Sequence, residues 1–559
     1  MNNYEEEFIF RTEDIKLNKL KDIFVETEND RENIEFLKRK SPGILIGSRG
    51  TGKTMLLRVA EKELDMEYEH KNVLGVFISF SKAILVDTSK DILYFRQWMF
   101  SKILLALKLK LARMGIGLSS PKIFSKYFGS NEDGDEIINK LTSVINVMEN
   151  SWNDKNIDIL PQLDSIFQVE ASKIGVLRDV DYFKIMIEEV CETYGIDRIT
   201  LLFDEACHNF IPIQQREFFT LFRDLRSPYI SCKAAVYPGI TSYGTFQAFH
   251  DAVVKKVERD INSPDYTIKM REIVKKQLGN EAYDMLIKNG DNFNTLIYAS
   301  SGNPRLLLKS IYETTEELKS FKTSNVNTTI KSFYRTRVWN EHTKLGEIYK
   351  GHKNIIDWGR WFLENKVLIE TINKNEKRLN AEKINQTIYF AIHRDAPIVV
   401  KQAMKILEYS GIVSLHTEGT KVRTEIYDRY QINFGVVLAS EVKSTPVNRY
   451  KEIANNLSIK LFTDYGMNSY AYEGIEKLDY IESEESITAI LDEILESSID
   501  KLDLPYYQRN TLKEVGFLTI KDILKGKEQD LQKAYLIGPI RSRRIFNIAL
   551  NATIEYISG

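Results

Sequence analysis

The stretch GILIGSRGTGKTMLLR, from Gly43 to Arg58, constrains the fold more than any other part of the chain. It contains the pattern G-x-x-x-x-G-K-[ST] between a short apolar run and a run with the apolar face of a helix. Glycines let the backbone curl so that successive N–H groups point at one anion, and the helix that follows adds the positive end of its dipole. The pattern predicts a phosphate-binding loop. An ordinary glycine turn, the alternative, is disfavoured by the strand before it and the helix after it.

Two side chains of this loop have a predicted chemical task. Lys53 would reach the β- and γ-phosphates of a nucleotide, and the Thr54 hydroxyl would bind Mg2+. The residues predicted to contact the nucleotide are Gly47, Ser48, Arg49, Gly50, Thr51, Gly52, Lys53, Thr54 and Met55. ATP and Mg2+ are therefore the predicted cofactors.

A second segment, RITLLFDEACHNF from Arg198 to Phe210, supplies the acids that such a loop needs. Its continuous apolar run is typical of a central parallel strand, and the run ends at Asp204 and Glu205. Asp204 would hold Mg2+ and its waters, and Glu205 would polarise the attacking water. Two acids after a strand are more often a solvated turn, but the upstream phosphate loop favours the catalytic interpretation.

Length and charge limit the remaining possibilities. A chain of 559 residues predicts three or four domains. The formal net charge of −2 gives no overall attraction to nucleic acid or to an anionic membrane, so any DNA contact must come from local basic patches. Three cysteines without metal or disulfide spacing indicate reduced thiols. With no signal-peptide pattern and no apolar run of membrane-spanning length, we predict a cytoplasmic protein without membrane contact.

Alternating strands and helices predict a multidomain α/β plus α protein with a parallel-sheet P-loop ATPase core over 1–255. Residues of about 120–173 are acidic, show no clear period, and are expected to be an insertion. A helical lid is expected over 256–344. Within it, GNPR puts Arg305 in the first turn of a helix, from which it could reach a γ-phosphate. An exposed arginine at a helix start is the alternative.

From about 345 the pattern changes. Three helices, in 354–365, 381–392 and 397–412, followed by a hairpin predict a winged helix-turn-helix domain over 345–445. Its third helix would enter a DNA major groove, or the domain would be a packing module. Residues 446–495 are expected to be a connector. Over 496–559, a glycine turn at Gly538 before three arginines predicts a helix-hairpin-helix that binds DNA phosphates or docks on a protein. A solvated basic helix start is the alternative. The three arginines are Arg541, Arg543 and Arg544.

The motifs GSRGTGKT, LLFDEA and GNPRLLLKS, in this order and before a winged helix, resemble the AAA+ and STAND-type ATPases related to origin-recognition proteins. The chain is most similar to the bacterial origin-recognition-like group, over about residues 10–440, whose members are associated with mobile elements and antiphage defence. The tail resembles the helix-hairpin-helix domain at the C-terminus of the RNA polymerase α subunit.

The resemblance implies an ATPase that converts ATP to ADP and phosphate. Lys53, Asp204, Glu205 and Arg305 would be its catalytic residues, with Arg305 in the sensor-two role, and Thr54 and Asp204 would hold the metal. It also implies a homo-oligomer with an arginine donated to a neighbouring site. The candidates for that arginine are Arg223 and Arg226, and those for a sensor-one residue are Thr241 and Ser242.

Two functions follow from this sequence. The first is an ATP-driven switch that controls DNA binding through the winged helix and the hairpin tail. The second is a regulatory ATPase that assembles with protein partners or an effector without binding DNA.

Overall fold

The computed structural model describes residues 15, 19–86, 92–116, 122–128, 134–150, 159–167, 175–207, 211–317, 321–348, 352–475, 494–502 and 504–558. Its strands are β1 (Gly43–Ile46), β2 (Val73–Ser79), β3 (Arg198–Asp204), β4 (Ile230–Val236), β5 (Val253–Lys256), β6 (Tyr389–His393), β7 (Val413–Val422), β8 (Glu425–Ile432) and β9 (Thr463–Tyr465).

The α-helices of the core and lid are α1 (Leu20–Ile23), α2 (Glu28–Lys38), α3 (Lys53–Lys71), α4 (Ile92–Arg113), α5 (Lys122–Phe128), α6 (Gly134–Glu149), α7 (Ile159–Phe167), α8 (Val180–Tyr194), α9 (Pro212–Asp224), α10 (Ala248–Asp251), α11 (Tyr266–Ile287), α12 (Gly290–Ala299), α13 (Pro304–Tyr312) and α14 (Thr323–Ser332). Those that follow are α15 (Trp339–Ile348), α16 (Lys353–Phe362), α17 (Leu368–Asn380), α18 (Ile398–Tyr409), α19 (Phe434–Ser440), α20 (Pro446–Ala454), α21 (Tyr506–Glu514), α22 (Ile520–Lys525), α23 (Glu528–Leu531) and α24 (Pro539–Ser558).

A five-stranded sheet in the order β2-β3-β4-β1-β5 forms the core, and every neighbouring pair in it is parallel. The apolar runs before the phosphate loop and before Asp204 form β1 and β3, and their neighbour β4 is buried along its whole length. Because the strands are parallel, their carboxyl ends share one edge, and the loops that follow β1, β3 and β4 meet there. The prediction of a parallel-sheet core is confirmed.

Helices cover both faces of this sheet. Successive strand residues point to opposite faces, and apolar residues lie on both of them. Ile44 and Leu201 belong to an apolar cluster shared with α4, α8 and α9. Their neighbours Leu45 and Leu202 belong to the opposite cluster, shared with α2 and α3. The helix that begins at the phosphate loop is therefore held against the sheet along its length.

The insertion contains α5, α6 and α7 and packs on the first of these two faces. Helix α6 buries Ile137, Leu141, Val144 and Met148, which are spaced as one helical face, against α4. The expectation that 120–173 shows no clear period is therefore wrong for α6. The apolar face was obscured because acidic residues crowd the same stretch.

The second sheet has the order β7-β8-β6-β9, with antiparallel β6–β8 and β7–β8 pairs and a parallel β6–β9 pair. The expected helix over 381–392 is wrong, because Tyr389–His393 forms β6. All five residues of β6 are buried between two paired strands, which favours the aromatic and β-branched residues found there. The hairpin of β7 and β8 and the third helix, α18, lie where the sequence predicted them.

The described part of 446–495 is not a simple connector, because β9 lies within it and pairs with β6. Residues 476–493 of that range lie outside the described part. Helix α24 of the tail packs on α15, and its apolar residues continue the cluster that fills the lid and the second sheet. Within the described ranges, no helix combines the length and apolarity needed to span a membrane.

Candidate functional site

The phosphate loop connects the end of β1 to the start of α3, and the lid lies directly against it. Gly50 and Gly52 have φ of +84° and +100°, a region that side chains rarely adopt. A Cβ at Gly50 would lie 2.7 Å from Asn303 Oδ1 and 2.8 Å from Arg305 Cβ. Glycine is therefore required at position 50 both by the backbone and by the closeness of the lid.

The Lys53 side chain is held inside the loop. Its Nζ donates to the carbonyl oxygens of Gly47 at 2.6 Å and Ser48 at 3.0 Å. The same ammonium lies 3.9 Å from the centroid of the Tyr237 ring, within cation–π distance. Thr51 closes the turn, because its hydroxyl donates to the Ser48 carbonyl at 2.9 Å. The loop thus positions a buried cation at the sheet edge.

The predicted catalytic residues share one electrostatic neighbourhood. Burial lowers the pKa of Lys53 to about 7. The carboxylates of Asp204 and, less strongly, Glu205 oppose this shift, whereas the guanidinium groups of Arg305 and Arg49 add to it. Residues from β3, the loop and the lid therefore act electrostatically on Lys53, and the catalytic roles of Asp204, Glu205 and Arg305 stay predictions.

The two acids end the strand in different ways. Asp204 is the last residue of β3 and is 3% exposed. Glu205 has a φ of +58°, which is uncommon for a residue with a side chain. Its Oε2 accepts a hydrogen bond from the Ser79 hydroxyl at 3.3 Å. Ser79, the last residue of β2, was not among the residues that the sequence predicted for this site.

Asn303 joins the lid to the loop. Its Oδ1 caps helix α13 by accepting from the backbone N–H groups of Arg305 at 3.1 Å and Leu306 at 3.3 Å. Its Nδ2 donates to the Arg49 carbonyl at 2.7 Å. One side chain thus fixes both the start of the lid helix and its distance from the phosphate loop. From the GNPR motif the sequence predicted a role for Arg305 and none for Asn303.

A buried ion pair supports the loop from the other side. Arg259 donates to the Thr51 carbonyl at 2.8 Å and to both carboxylate oxygens of Asp30 at 3.2 Å. The two side chains are 7% and 0% exposed. Asp30 also completes the capping box of α2 with Thr27. No local motif predicts this pairing, because the two residues lie on segments more than two hundred positions apart.

The candidates for a sensor-one residue and for a donated arginine make the contacts that follow, and their roles stay predictions. The Thr241 hydroxyl donates to the Tyr237 carbonyl at 2.7 Å, and the Ser242 backbone N–H donates to Gln215 at 2.6 Å. Tyr237, the residue after β4, is the one that lies over Lys53. Arg223 forms an ion pair with Asp224 at 3.0 Å, whereas Arg226 is exposed.

The donor set suits a magnesium ion bound together with phosphates. The Thr54 hydroxyl and the Asp204 carboxylate are oxygen donors, and Mg2+ in phosphate sites typically uses one or two carboxylates plus phosphate and water oxygens. Within the described ranges, no group of three or more His, Cys, Asp or Glu side chains could hold a metal by itself.

The fold and the site define a multidomain protein whose parallel-sheet core is that of a P-loop ATPase. The family model described as ORC-CDC6-like matches residues 8–392, and the chain belongs to this family. The resemblance to origin-recognition proteins is thereby confirmed at the level of the family. The bacterial group and the polymerase-like tail stay predictions.

Two solved structures from Aeropyrum pernix are similar to the chain. One is an ORC1 protein in complex with DNA, with 11% identity, 75% of this chain and 93% of that chain covered, and a TM-score of 0.28. The other is an ORC2 protein in ADPNP-ADP complexes, with 11% identity, 77% and 94% covered, and a TM-score of 0.28. No curated protein sequence matches the chain.

Proposed function

We propose that this protein is an ATP-binding and ATP-hydrolysing switch whose closure or assembly controls DNA binding. The observation that carries the proposal is the convergence of Lys53, Asp204, Glu205 and Arg305 at the mouth of one phosphate loop. Membership of the ORC-CDC6-like family supports the same conclusion. In this proposal the loop grips the triphosphate with backbone N–H groups, the start of α3 and the Lys53 ammonium.

The chemistry is the transfer of the γ-phosphoryl group to water. Glu205 accepts a proton from the water as its oxygen attacks the γ-phosphorus. The bond from that phosphorus to the bridging oxygen breaks, and ADP and phosphate result. Arg305 and Lys53 stabilise the negative charge on the transferred group. Thr54 and Asp204 would hold Mg2+, which neutralises phosphate charge when it is bound.

Asn303 links this chemistry to movement of the lid. Because Asn303 ties α13 to the loop carbonyl of Arg49, a nucleotide that shifts the loop also shifts the lid.

The tail offers a DNA contact in this proposal. Arg541, Arg543 and Arg544 are exposed beside a turn at which Tyr535, Leu536 and Ile540 are 72%, 58% and 87% exposed. The basic residues at this turn suit contacts to DNA phosphates.

Substitution at the loop tests nucleotide binding. Lys53→Ala should abolish ATP binding measured by calorimetry. Lys71→Ala, at the far end of the same helix and paired with Glu67 on the surface, should bind normally. Glu205→Gln should keep ATP binding and lose turnover measured by phosphate release. Unimpaired ATP binding by Lys53→Ala would refute the site.

Fluorescence anisotropy with labelled duplex DNA tests the second half of the proposal. Binding should require low salt and should change with ATP, because phosphate contacts release counterions. The combined replacement of Arg541, Arg543 and Arg544 by alanine should weaken it and reduce its salt dependence. Lys533→Ala in the same module is the control, because that lysine already pairs with Asp530. Absence of binding at low salt with ATP present would remove DNA from the function.

One observation favours the alternative, a regulatory ATPase that assembles with protein partners. In α18, the helix predicted to enter a major groove, Ile398 and Lys405 are exposed and the other residues are buried or half-buried. Light scattering separates the two functions. Under the alternative, ATP changes the mass of the assembly and DNA does not. Arg226 is then our candidate for an arginine donated to a neighbouring subunit.

A role in antiphage defence or mobile elements would be tested by identifying the genes that lie beside the gene of this protein.

A further inference from the structure

The second sheet and its helix α18 are docked on the mouth of the phosphate site. The ring of Tyr409, the last residue of α18, meets the ring of Tyr237 edge to face with centroids 5.7 Å apart. Tyr237 is also the ring that carries the Lys53 ammonium at 3.9 Å. One side chain, 9% exposed, therefore contacts both the phosphate-binding lysine and the winged-helix domain.

Other contacts hold the same docked arrangement. Gly239, two residues beyond Tyr237, has a φ of +79°, and a Cβ there would lie 2.3 Å from the Lys405 carbonyl oxygen of α18. The Lys256 ammonium at the end of β5 donates to the Leu415 carbonyl of β7 at 3.3 Å. A Cβ at Gly411 would lie 3.9 Å from the hydroxyl of Ser48 in the phosphate loop. The docked surface therefore extends from α18 to the loop itself.

We propose that Tyr237 is a positioning residue through which phosphate binding at Lys53 and docking of α18 oppose each other. This inference rests on the proposed ATP binding. In the docked arrangement the ammonium is shared between two loop carbonyls and the Tyr237 ring, and that ring is packed on Tyr409. A triphosphate draws the ammonium toward its own oxygens, which removes an attraction that holds Tyr237 in place.

The coupling must act in both directions. If phosphate binding weakens docking by some factor, loss of docking strengthens phosphate binding by the same factor. Nucleotide would then release α18 and uncover a helix whose surface is now mostly buried or half-buried. The nucleotide state and the availability of the winged helix for a partner would thus be set by a single aromatic ring.

Titration of the full chain with a non-hydrolysable ATP analogue and Mg2+ tests the inference. Tyr409→Leu removes the ring that packs on Tyr237, and Lys256→Ala removes the separate hydrogen bond to Leu415. Both should tighten analogue binding, by about three- to thirtyfold for the tyrosine, the usual range for coupling between sites. Lys374→Ala is the matched control, because that lysine of α17 donates to the Phe462 carbonyl beside β9, at the opposite edge of the second sheet from β7. Its affinity should match that of the unmodified protein.

A double replacement identifies Tyr237 as the transmitter. In a Tyr237→Leu background, Tyr409→Leu should no longer tighten analogue binding. Tyr237→Phe keeps the ring and should preserve the gain. Equal affinity in the unmodified protein, Tyr409→Leu and Lys256→Ala would overturn the inference and leave the proposed function intact. A gain that persists without the Tyr237 ring would overturn it as well. Failure of the unmodified protein to bind the analogue would refute the proposed function itself.

Discussion

Gly50 is the residue at which the phosphate loop and the lid come closest. Gly50→Ala adds a Cβ that meets Asn303 and Arg305 at less than 3.0 Å, on a backbone with φ of +84°. Gly195→Ala is a control for backbone strain alone, because φ there is +64° and nothing lies within 4 Å of the added Cβ. We expect both variants to lose about 1 kcal/mol or more of stability. Only Gly50→Ala should also weaken ATP binding in calorimetry. Equal ATP affinity of the two variants would show that the lid need not approach the loop.

Lys233 makes stability depend on pH. It is fully buried in β4, where it donates to the Ser41 carbonyl and lies 5.0 Å from the Phe36 ring centroid. Burial, followed by the nearby Arg198 guanidinium, lowers the pKa of Lys233 to about 7 from 10.5. The unfolded chain therefore binds more protons between these two values, and stability rises with pH across that window.

The free energy of unfolding should rise by at most about 1.4 kcal/mol per pH unit in this window. Below pH 7 the lysine is charged in both the folded and the unfolded chain, so the full cost of burying its charge lowers the stability. Lys233→Met should flatten the dependence of the melting temperature on pH between 7 and 9. The unmodified protein should gain stability relative to the variant as the pH rises. Parallel curves for the two proteins would show that this lysine stays charged at every pH tested.

At the residue scale, the sequence predicted those site residues that belong to short local motifs. Lys53 and Glu205 follow from short patterns because a loop and a strand end need only neighbouring residues. Arg259 and Tyr237 could not be found in this way. Each acts through contacts with segments far away in the chain, and nothing in their own neighbourhood distinguishes them from ordinary core residues.

Among the elements, α13 depends on one asparagine for two separate functions. Asn303→Ala removes both the helix cap and the hydrogen bond to the Arg49 carbonyl, and should cost about 1 kcal/mol of stability. Asn303→Ser keeps a capping oxygen but is too short to maintain the bond to Arg49. We expect the serine variant to melt near the unmodified protein yet bind ATP as weakly as the alanine variant. Normal ATP affinity in Asn303→Ser would confine the role of Asn303 to the cap.

The elements that were predicted correctly carry a clear period or a clear end signal. Helix α18 was found because its apolar residues recur at helical spacing and Gly411 ends it with a φ of +71°. Strand β6 was mistaken for a helix, since a strand buried on both faces has no polar alternation to identify it. Only its partners β8 and β9, which lie on either side in the sheet, show why it is extended.

For the whole molecule, the junction between core and tail lies close to the edge of the first sheet at which β2 ends. Lys82, three residues beyond Ser79, forms an ion pair with Glu149 of the insertion at 3.0 Å. The Lys82 ammonium also lies 4.8 Å from the centroid of the Phe546 ring in α24. Glu149 also accepts a hydrogen bond from Trp98 at 3.3 Å. The insertion, the sheet and the tail therefore meet at one cluster of charges, which no part of the sequence predicts because its members come from four distant segments.

This junction determines how firmly the tail is held, and Phe546→Ala tests it. Loss of the ring removes its contact with Lys82 and its packing on the apolar cluster of the lid and second sheet, and the two contacts together should stabilise docking by about 1 to 2 kcal/mol. Such a loss raises the ratio of detached to docked tail by roughly 5- to 30-fold. Small-angle scattering should then report a larger radius of gyration, and the effect should grow in Lys82→Ala/Phe546→Ala. Arg544→Ala, an exposed position in the same helix, should leave the radius unchanged. If Phe546→Ala scatters like the unmodified protein, the tail is held by other parts of α24, and the charge cluster at Lys82 does not control it.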